Sequence, residues 1–394
     1  MTDLAERAAI LETVADSLGM RLASSSTIHS EASGDGLVTG HRVDLVSPDG
    51  ATHSETVYLQ DNPHHHPGEG VLRMRASSGE ETDAWLYPND PALPALRAAV
   101  FTDAAAVLLS RLGLEASGLR VEVAAYRPGK RAVVCMRTNH STIFLKVVKP
   151  NVVEALRSRH DYWLSAGIPV PRVIAWAPDG LVALEALPGI EAIEIVPRLA
   201  VNNDFVDAVG RLTAAFARIP SEAPARASLV RRLDWYTRGL YTIAPTHRPG
   251  IAAVHSRIAA RIAAASPPPA LVTIHGDLHL AQLFVDPVSP HPVLGILDID
   301  TAGIGDPADD AAALWAHLIV TAEYRVLAGD DAFAASAREL AERFRARWPE
   351  NDDAGFAERA AAIAATHLMG HALSGRVATD RLLELANWVL SHAA

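Results

Sequence analysis

The residues able to do chemistry concentrate in Thr273-Ile-His-Gly-Asp-Leu-His-Leu-Ala-Gln-Leu-Phe-Val-Asp286 and in Val293-Leu-Gly-Ile-Leu-Asp-Ile-Asp300. Two short apolar runs, Leu283–Val285 and Val293–Leu297, flank the Pro287–Pro292 segment, a spacing that predicts an antiparallel hairpin. Pairing outward from its turn sets Gln282 beside Leu297 and Asp298, while Asp277 lies on the loop feeding the first strand. Asp277, Gln282 and Asp298 are therefore expected on one edge of one hairpin. That trio suits metal-assisted phosphoryl transfer. A hard cation such as Mg2+ takes oxygen ligands, commonly one or two carboxylates plus substrate phosphates. Asp298 and the amide oxygen of Gln282 fit that role, which leaves Asp277 to accept the proton of an incoming hydroxyl.

Four elements occur in order: His275-Gly276-Asp277-Leu278-His279, the amide at Gln282, Ile296-Leu297-Asp298, and Gly305-Asp306-Pro307-Ala308-Asp309-Asp310. Together they resemble the aminoglycoside phosphotransferase/choline-kinase-like small-molecule kinases. Gln282 stands where most of that family has Asn. The His-Gly-Asp-x-His-x-x-Gln form is similar to the maltokinase and glucosamine-kinase branch, although Asp298-Ile299-Asp300-Thr301-Ala302-Gly303 departs from that branch's usual downstream motif. The resemblance implies an α+β, bilobal protein-kinase-like fold, with a small antiparallel β N-lobe and a mainly helical C-lobe. It implies ATP-dependent transfer of the γ-phosphate to a hydroxyl of a small molecule, with ATP and Mg2+ as cofactors. Asp277 would be the base, and Gln282 and Asp298 the metal ligands. The expected acceptor is a sugar, amino sugar or aminoglycoside, with a small amino alcohol as the alternative. A non-catalytic nucleotide-binding module of the same fold would be marked by loss of Asp277, Asp298 or Lys146, and all three are present.

The resemblance also assigns roles upstream. Lys146, the one cation in the apolar Ile143–Val148 run, becomes the nucleotide-phosphate lysine, its other reading being an edge-strand solubility lysine. The Tyr126-Arg127-Pro128-Gly129-Lys130-Arg131 turn takes the place of a glycine-rich loop, with Lys130 or Arg131 helping to hold phosphate. Glu154 is either the acid that orients Lys146 or a capping-box acid three residues after Asn151. The family's usual acid position falls near Arg157. Leu184-Glu185-Ala186-Leu187-Pro188-Gly189 resembles the family's connector between lobes, where the main-chain oxygen of Glu185 and the N–H of Leu187 would read adenine.

Several residues have plainer readings. His275 is expected to fix the loop backbone, and His279 to pack there or approach phosphate or acceptor. Asp300 either touches a second metal or supports the fold. Asp306 and Asp310 are expected to cap a helix and answer its dipole. His64-His65-His66 reads as a solvated loop, because adjacent histidines do not readily share one tetrahedral ion. Gly34–Gly40 misses the dinucleotide fingerprint and lacks the strand that should precede it. Asp298 and Asp306 stand too close together for the acidic motifs of a haloacid-dehalogenase-type phosphatase, which come from separate strands of a parallel sheet.

Positioning these residues needs two kinds of element. Leu4 to about Leu22 has helical periodicity. His41–Val46 with Glu55–Gln60, and Val71–Ala76 with Thr82–Tyr87, read as hairpins, and Leu93–Leu112 as one helix. Leu119–Tyr126, Ala132–Thr138 and Thr142–Val148 read as strands, followed by a helix capped at Asn151 and by strands Arg172–Ala177 and Leu181–Leu187. From Asp204 the pattern is helical apart from Leu283–Asp300. This gives an N-terminal α+β unit (1–115), an N-lobe (116–188) and a C-lobe (189–394). The composition agrees with a folded chain: 49% hydrophobic and 21% charged over 394 residues. Thirty-five Lys plus Arg against 46 Asp plus Glu leave a net charge of −11, which argues against nucleic-acid binding. A single cysteine, Cys135, allows no intrachain disulfide and points to the cytoplasm. No apolar run is long enough for a membrane span.

Overall fold

The computed structural model describes residues 4–33, 36–63, 70–75, 79–289 and 291–392. His64–His66 and part of the Gly34–Gly40 run lie outside them. Two compact units emerge, Met1–Ser158 with Arg172–Ala186, and Arg159–Pro171 with Leu187–Ala394.

The first unit opens with α1 (Leu4–Ser17), then β1 (Arg21–Ser33), β2 (Gly36–Val46), β3 (Thr52–Asp61), β4 (Val71–Arg75) and β5 (Glu81–Leu86), an antiparallel sheet in the order β1-β2-β3-β5-β4. The periodicity reaching to about Leu22 overstated α1. Gly19 takes φ +68°, and the N–H groups of Met20 and Gly19 bond back to the carbonyls of Ala15 and Asp16, a Schellman ending. The chain then enters β1, which Ser-rich sequence hid because this edge strand is largely exposed. Ile10, Leu11, Val14 and Ala15 of α1 pack on Val43, Leu45, Val57, Leu59 and Ala84 of the sheet.

The same unit continues with α2 (Leu96–Val100), α3 (Thr102–Arg111), β6 (Arg120–Arg127), β7 (Arg131–Arg137), β8 (Thr142–Val148), the start of α4 (Val153–Ser165), β9 (Val173–Ala177) and β10 (Leu181–Glu185). The single helix expected over Leu93–Leu112 breaks at Phe101, whose backbone is extended. A 3-10 turn, Pro150–Val152, precedes α4, so Asn151 sits inside that turn and does not cap the helix. The second sheet runs β6-β7-β8-β10-β9. Leu96, Ala99, Ala105 and Leu109 cover one face, against Val134, Met136, Leu145 and Val147. Val153 and Leu156 meet Val182 and Leu184 in a separate cluster.

The second unit is mainly helical: β11 (Ile190–Glu191), α5 (Val196–Leu199), α6 (Asp204–Ala217), α7 (Leu233–Ile243), α8 (Arg248–Ala264), β12 (Val272–Ile274), β13 (Leu283–Val285), β14 (Val293–Ile296), β15 (Gly303–Gly305), α9 (Pro307–Leu327), α10 (Asp331–Arg345), α11 (Phe356–Ala372) and α12 (Thr379–Ser391). Ala360–Ala365 bury almost all of their surface, so α11 reads as apolar all round, the signature of a central helix. Strands β13 and β14 form the expected hairpin, extended by β11. The β12–β15 pair was not expected, since each strand spans only three residues. Among the described residues no helix is long and apolar enough to cross a membrane.

Candidate active site

Strand β12 ends at Ile274 and releases the loop that carries Asp277. Asp310, buried in the first turn of α9, accepts hydrogen bonds from the backbone N–H groups of His275 and Gly276, both at 2.7 Å. Asp310 thus holds the loop, a different task from the helix capping expected of it. Asp306 does cap α9, accepting from the N–H of Ala308 at 3.0 Å. Gly276 takes φ +82°, and a Cβ there would lie 2.6 Å from the carbonyl oxygen of Thr301. The position therefore requires glycine.

The Asp298 loop is tied to the same backbone. His275 Nε2 lies 2.9 Å from the carbonyl oxygen of Leu297, so that nitrogen carries the proton. Thr301 donates its hydroxyl hydrogen to the carbonyl of His275 at 2.8 Å. His275 is thus the loop-fixing residue expected. The N–H of Leu297 bonds to the carbonyl of Gln282 at 2.8 Å, which puts Gln282 and Asp298 at the same end of the β13–β14 hairpin. Asp298 itself is left-handed, φ 59° and ψ 40°. Few non-glycine residues adopt that region, and those that do concentrate where function demands it.

Asp277, Gln282 and the nearby Asp300 differ in their surroundings. Asp277 Oδ2 pairs with Arg226 Nη1 at 2.6 Å. Gln282 is buried, and its amide oxygen accepts the N–H of His279 at 3.2 Å, closing a capping box around the 3-10 turn Leu280–Gln282. That oxygen has a second lone pair. Asp300 is approached by Arg159, 3.7 Å from its carboxylate and 3.3 Å from its carbonyl.

The remaining candidates are distributed as follows. Lys146 lies on the half-buried face of β8, opposite Val133 and Val182. Glu154 is exposed and pairs along its own helix with Arg157 at 2.6 Å and Ser158 at 3.3 Å. Lys130 pairs with Glu31 of β1 at 2.8 Å, and Arg127 reaches the same carboxylate. The turn between them is pinned by Asp90, which accepts the Gly129 N–H at 2.6 Å and the Tyr126 hydroxyl at 2.9 Å. Glu185 closes β10, with its carboxylate on Arg172 at 3.0 Å. Leu187 belongs to the second unit, where its side chain occupies the space a Cβ on Gly295 would need.

Four residues beside Asp277 carried no strong sequence signal. Arg226 sits in an irregular loop, where periodicity is silent. His317, His367 and His371 join His279 around a cavity of about 280 Å³ that Asp277 and Arg226 also line. The i, i+4 spacing of His367 and His371 on a helix was the one available clue. Burial pushes all four imidazoles below their usual pKa, His367 down to about 3. Among the described residues, no three His, Cys, Asp or Glu side chains are placed to hold one metal ion.

The family model described as "Phosphotransferase enzyme family" matches residues 131–347, more than half of the chain. The chain belongs to the phosphotransferase enzyme family. The match takes in the Asp277 loop, the hairpin and the strand of Lys146. No curated protein matches the sequence of this phosphotransferase. Among solved structures it is similar to the aminoglycoside-3'-phosphotransferase of type VIII, at 19% identity over 67% of this chain and 97% of that chain, TM-score 0.44. It is also similar to aminoglycoside phosphotransferase APH(4)-Ia, at 11% identity over 74% of this chain and 96% of that chain, TM-score 0.46.

Proposed function

We propose that the protein transfers the γ-phosphoryl group of ATP to a hydroxyl of a small molecule of the sugar, amino-sugar or aminoglycoside kind. The observation that carries this reading is the double anchoring of the Asp277 loop, by Asp310 from below and by His275 to the Asp298 loop. Phosphoryl transfer depends chiefly on positioning and charge neutralisation, and such anchoring serves positioning. The acceptor oxygen attacks the γ-phosphorus as the bond from phosphorus to the β,γ-bridging oxygen breaks. ADP leaves with that electron pair, and the hydroxyl proton passes to Asp277 and then to water. Arg226 holds the Asp277 carboxylate in place.

The donors at the hairpin end are all oxygen and fit a hard divalent cation. Asp298 and Gln282 would hold Mg2+, which neutralises charge on the transferring phosphate when bound. The remaining ligands would come from nucleotide phosphates and water. Lys146 would hold nucleotide phosphate, and the main chain at Glu185 and Leu187 would read adenine. Glu154 and Lys130 are secondary candidates, because their charges already pair with Arg157 and Glu31 respectively.

Two substitutions test the division of roles. Asp277→Asn is expected to abolish turnover with ATP–Mg2+ affinity near that of the parent. Asp298→Ala is expected to weaken Mg2+-dependent nucleotide binding as well. Calorimetric titration with and without Mg2+ separates them. Equal, large affinity losses in both variants would sink the assignment.

A further inference from the structure

The cavity beside Asp277 has a composition that bears on what the acceptor can be. Its volume of about 280 Å³ lies just under the roughly 300–1,000 Å³ usual for small-molecule sites, room for a compact ring and little more. Its wall is built from imidazoles. The ring of His317 lies 4.6 Å from that of His279, 5.0 Å from that of His371 and 5.7 Å from that of His367, centre to centre. These rings come from the catalytic loop, α9 and α11, so three separate elements aim the same chemistry at one space. Tyr236 and Ser374 add hydroxyls.

The charge balance is equally particular. Asp277 is the sole carboxylate lining the cavity among the described residues, and Arg226 at 2.6 Å already answers it. A polyamine carrying several ammonium groups would find no second carboxylate among the described residues of this wall. Removing charge from water without a compensating partner is expensive. A buried neutral imidazole, by contrast, presents one N–H donor and one lone-pair acceptor. A hydroxyl is likewise both donor and acceptor. Several imidazoles around one space therefore match several hydroxyls on one ring, each able to give and receive a hydrogen bond.

We infer that the acceptor is an uncharged polyhydroxylated ring, of the monosaccharide or cyclitol class, and that polycationic acceptors are rejected. The inference rests on Asp277 being the base of the proposed phosphoryl transfer. It narrows that reading, because aminoglycosides fall on the rejected side. Arg226 is then a specificity-determining residue, cancelling the one charge that would attract a cation.

The test uses the full chain and two readouts. Ligand-observed NMR without nucleotide measures binding of neutral pentoses, hexoses and cyclitols and, separately, of kanamycin. ADP release and a phosphomonoester 31P signal, with ATP and Mg2+, measure transfer. At least one neutral polyol is expected to bind and be phosphorylated, with kanamycin at least about tenfold weaker in both. Losing one buried hydrogen-bonding partner in His317→Leu should weaken polyol binding about tenfold. In Arg226→Gln the carboxylate is left unanswered, and the kanamycin-to-polyol affinity ratio should rise by about tenfold. Preference of the parent protein for kanamycin overturns the inference and leaves the kinase reading standing. Polyol binding with no phosphomonoester overturns the kinase reading and leaves the selectivity of the cavity. Failure of every neutral polyol to bind overturns the inference.

Discussion

Asp298 pays a conformational cost where glycine would pay none. At φ 59° its side chain is held in a region that costs an ordinary residue about 1–2 kcal/mol. The expected result is a split between stability and function. Asp298→Gly should keep or slightly raise the denaturant midpoint while losing Mg2+-dependent nucleotide affinity, whereas Asp298→Val should lose about 1 kcal/mol of stability as well. A glycine variant that binds Mg2+–nucleotide normally would show that the carboxylate is no ligand. Glu154 and Lys146 divide in a similar way. Exposed pairs such as Glu154 with Arg157 contribute little, so Glu154→Ala should change KM for ATP by less than about threefold. Lys146→Ala should raise it far more, and steady-state kinetics decide between them. At this scale the sequence was readable where residues sit close along the chain. Hairpin counting placed Gln282 beside Leu297. Arg226, 51 residues before Asp277 in an irregular loop, had no pattern to reveal it.

Helices α9 and α11 hold the site from behind. Arg359 of α11, 8% exposed at its side chain, bonds to both carboxylate oxygens of Asp306, at 2.6 and 3.1 Å, and to the carbonyl of Ser266 at 2.7 Å. Asp353 shares the same guanidinium. Removing one member of such a buried network leaves the other charges without their partner, so Arg359→Leu should cost about 3–5 kcal/mol in urea unfolding. A loss below about 1 kcal/mol would show that water replaces the guanidinium. Asp310 acts on the loop instead. An amide at that position can accept only through its oxygen, so Asp310→Asn should lower kcat while leaving KM for ATP within about twofold. Elements were legible in proportion to their periodicity. The hairpins and the long Ala-rich helices showed in the sequence, because alternation and helical spacing persist over many residues. β1 did not, since an exposed edge strand has no apolar side to display. The three-residue strands β12 and β15 pair with each other from distant parts of the sequence, with too few residues for any pattern.

The molecule as a whole should resist acid poorly, because its second unit buries neutral imidazoles. His367 titrates near 6.5 in an unfolded chain and is held down to about 3 when folded. Between those values the unfolded chain takes up a proton that the folded one refuses, so this stabilisation is complete above 6.5 and is lost as pH falls. His279, His317 and His371 shift in the same direction. Asp309 works the other way: burial pushes it up from 3.8 to about 7, so its cost is relieved as pH falls through that window. Asp310 shares that upward direction. Through the imidazoles Tm should fall between pH 7.5 and pH 5, against the opposing pull of the two carboxyls. The fall should be shallower in His367→Leu, and an unchanged slope by calorimetry would remove the imidazole as its source. That strands dominate the first half and helices the second was legible from periodicity and turn signals. The attachment of the N-terminal sheet to the Arg127–Lys130 turn was not, because Glu31 and Asp90 lie far from that turn in sequence and their bonds to it follow no repeat. That attachment has a practical side. A gene trimmed to the family-matched residues 131–347 would lose β6, the hydrogen-bonded neighbour of β7, together with α2 and α3 that cover the sheet, and α11 with Arg359, His367 and His371. The first 86 residues cannot be swapped out like a purification tag either, since Glu31 and the aromatic face of Tyr58 against Tyr126 would go with them. Trimming for grafting or directed evolution therefore has to keep these contacts together.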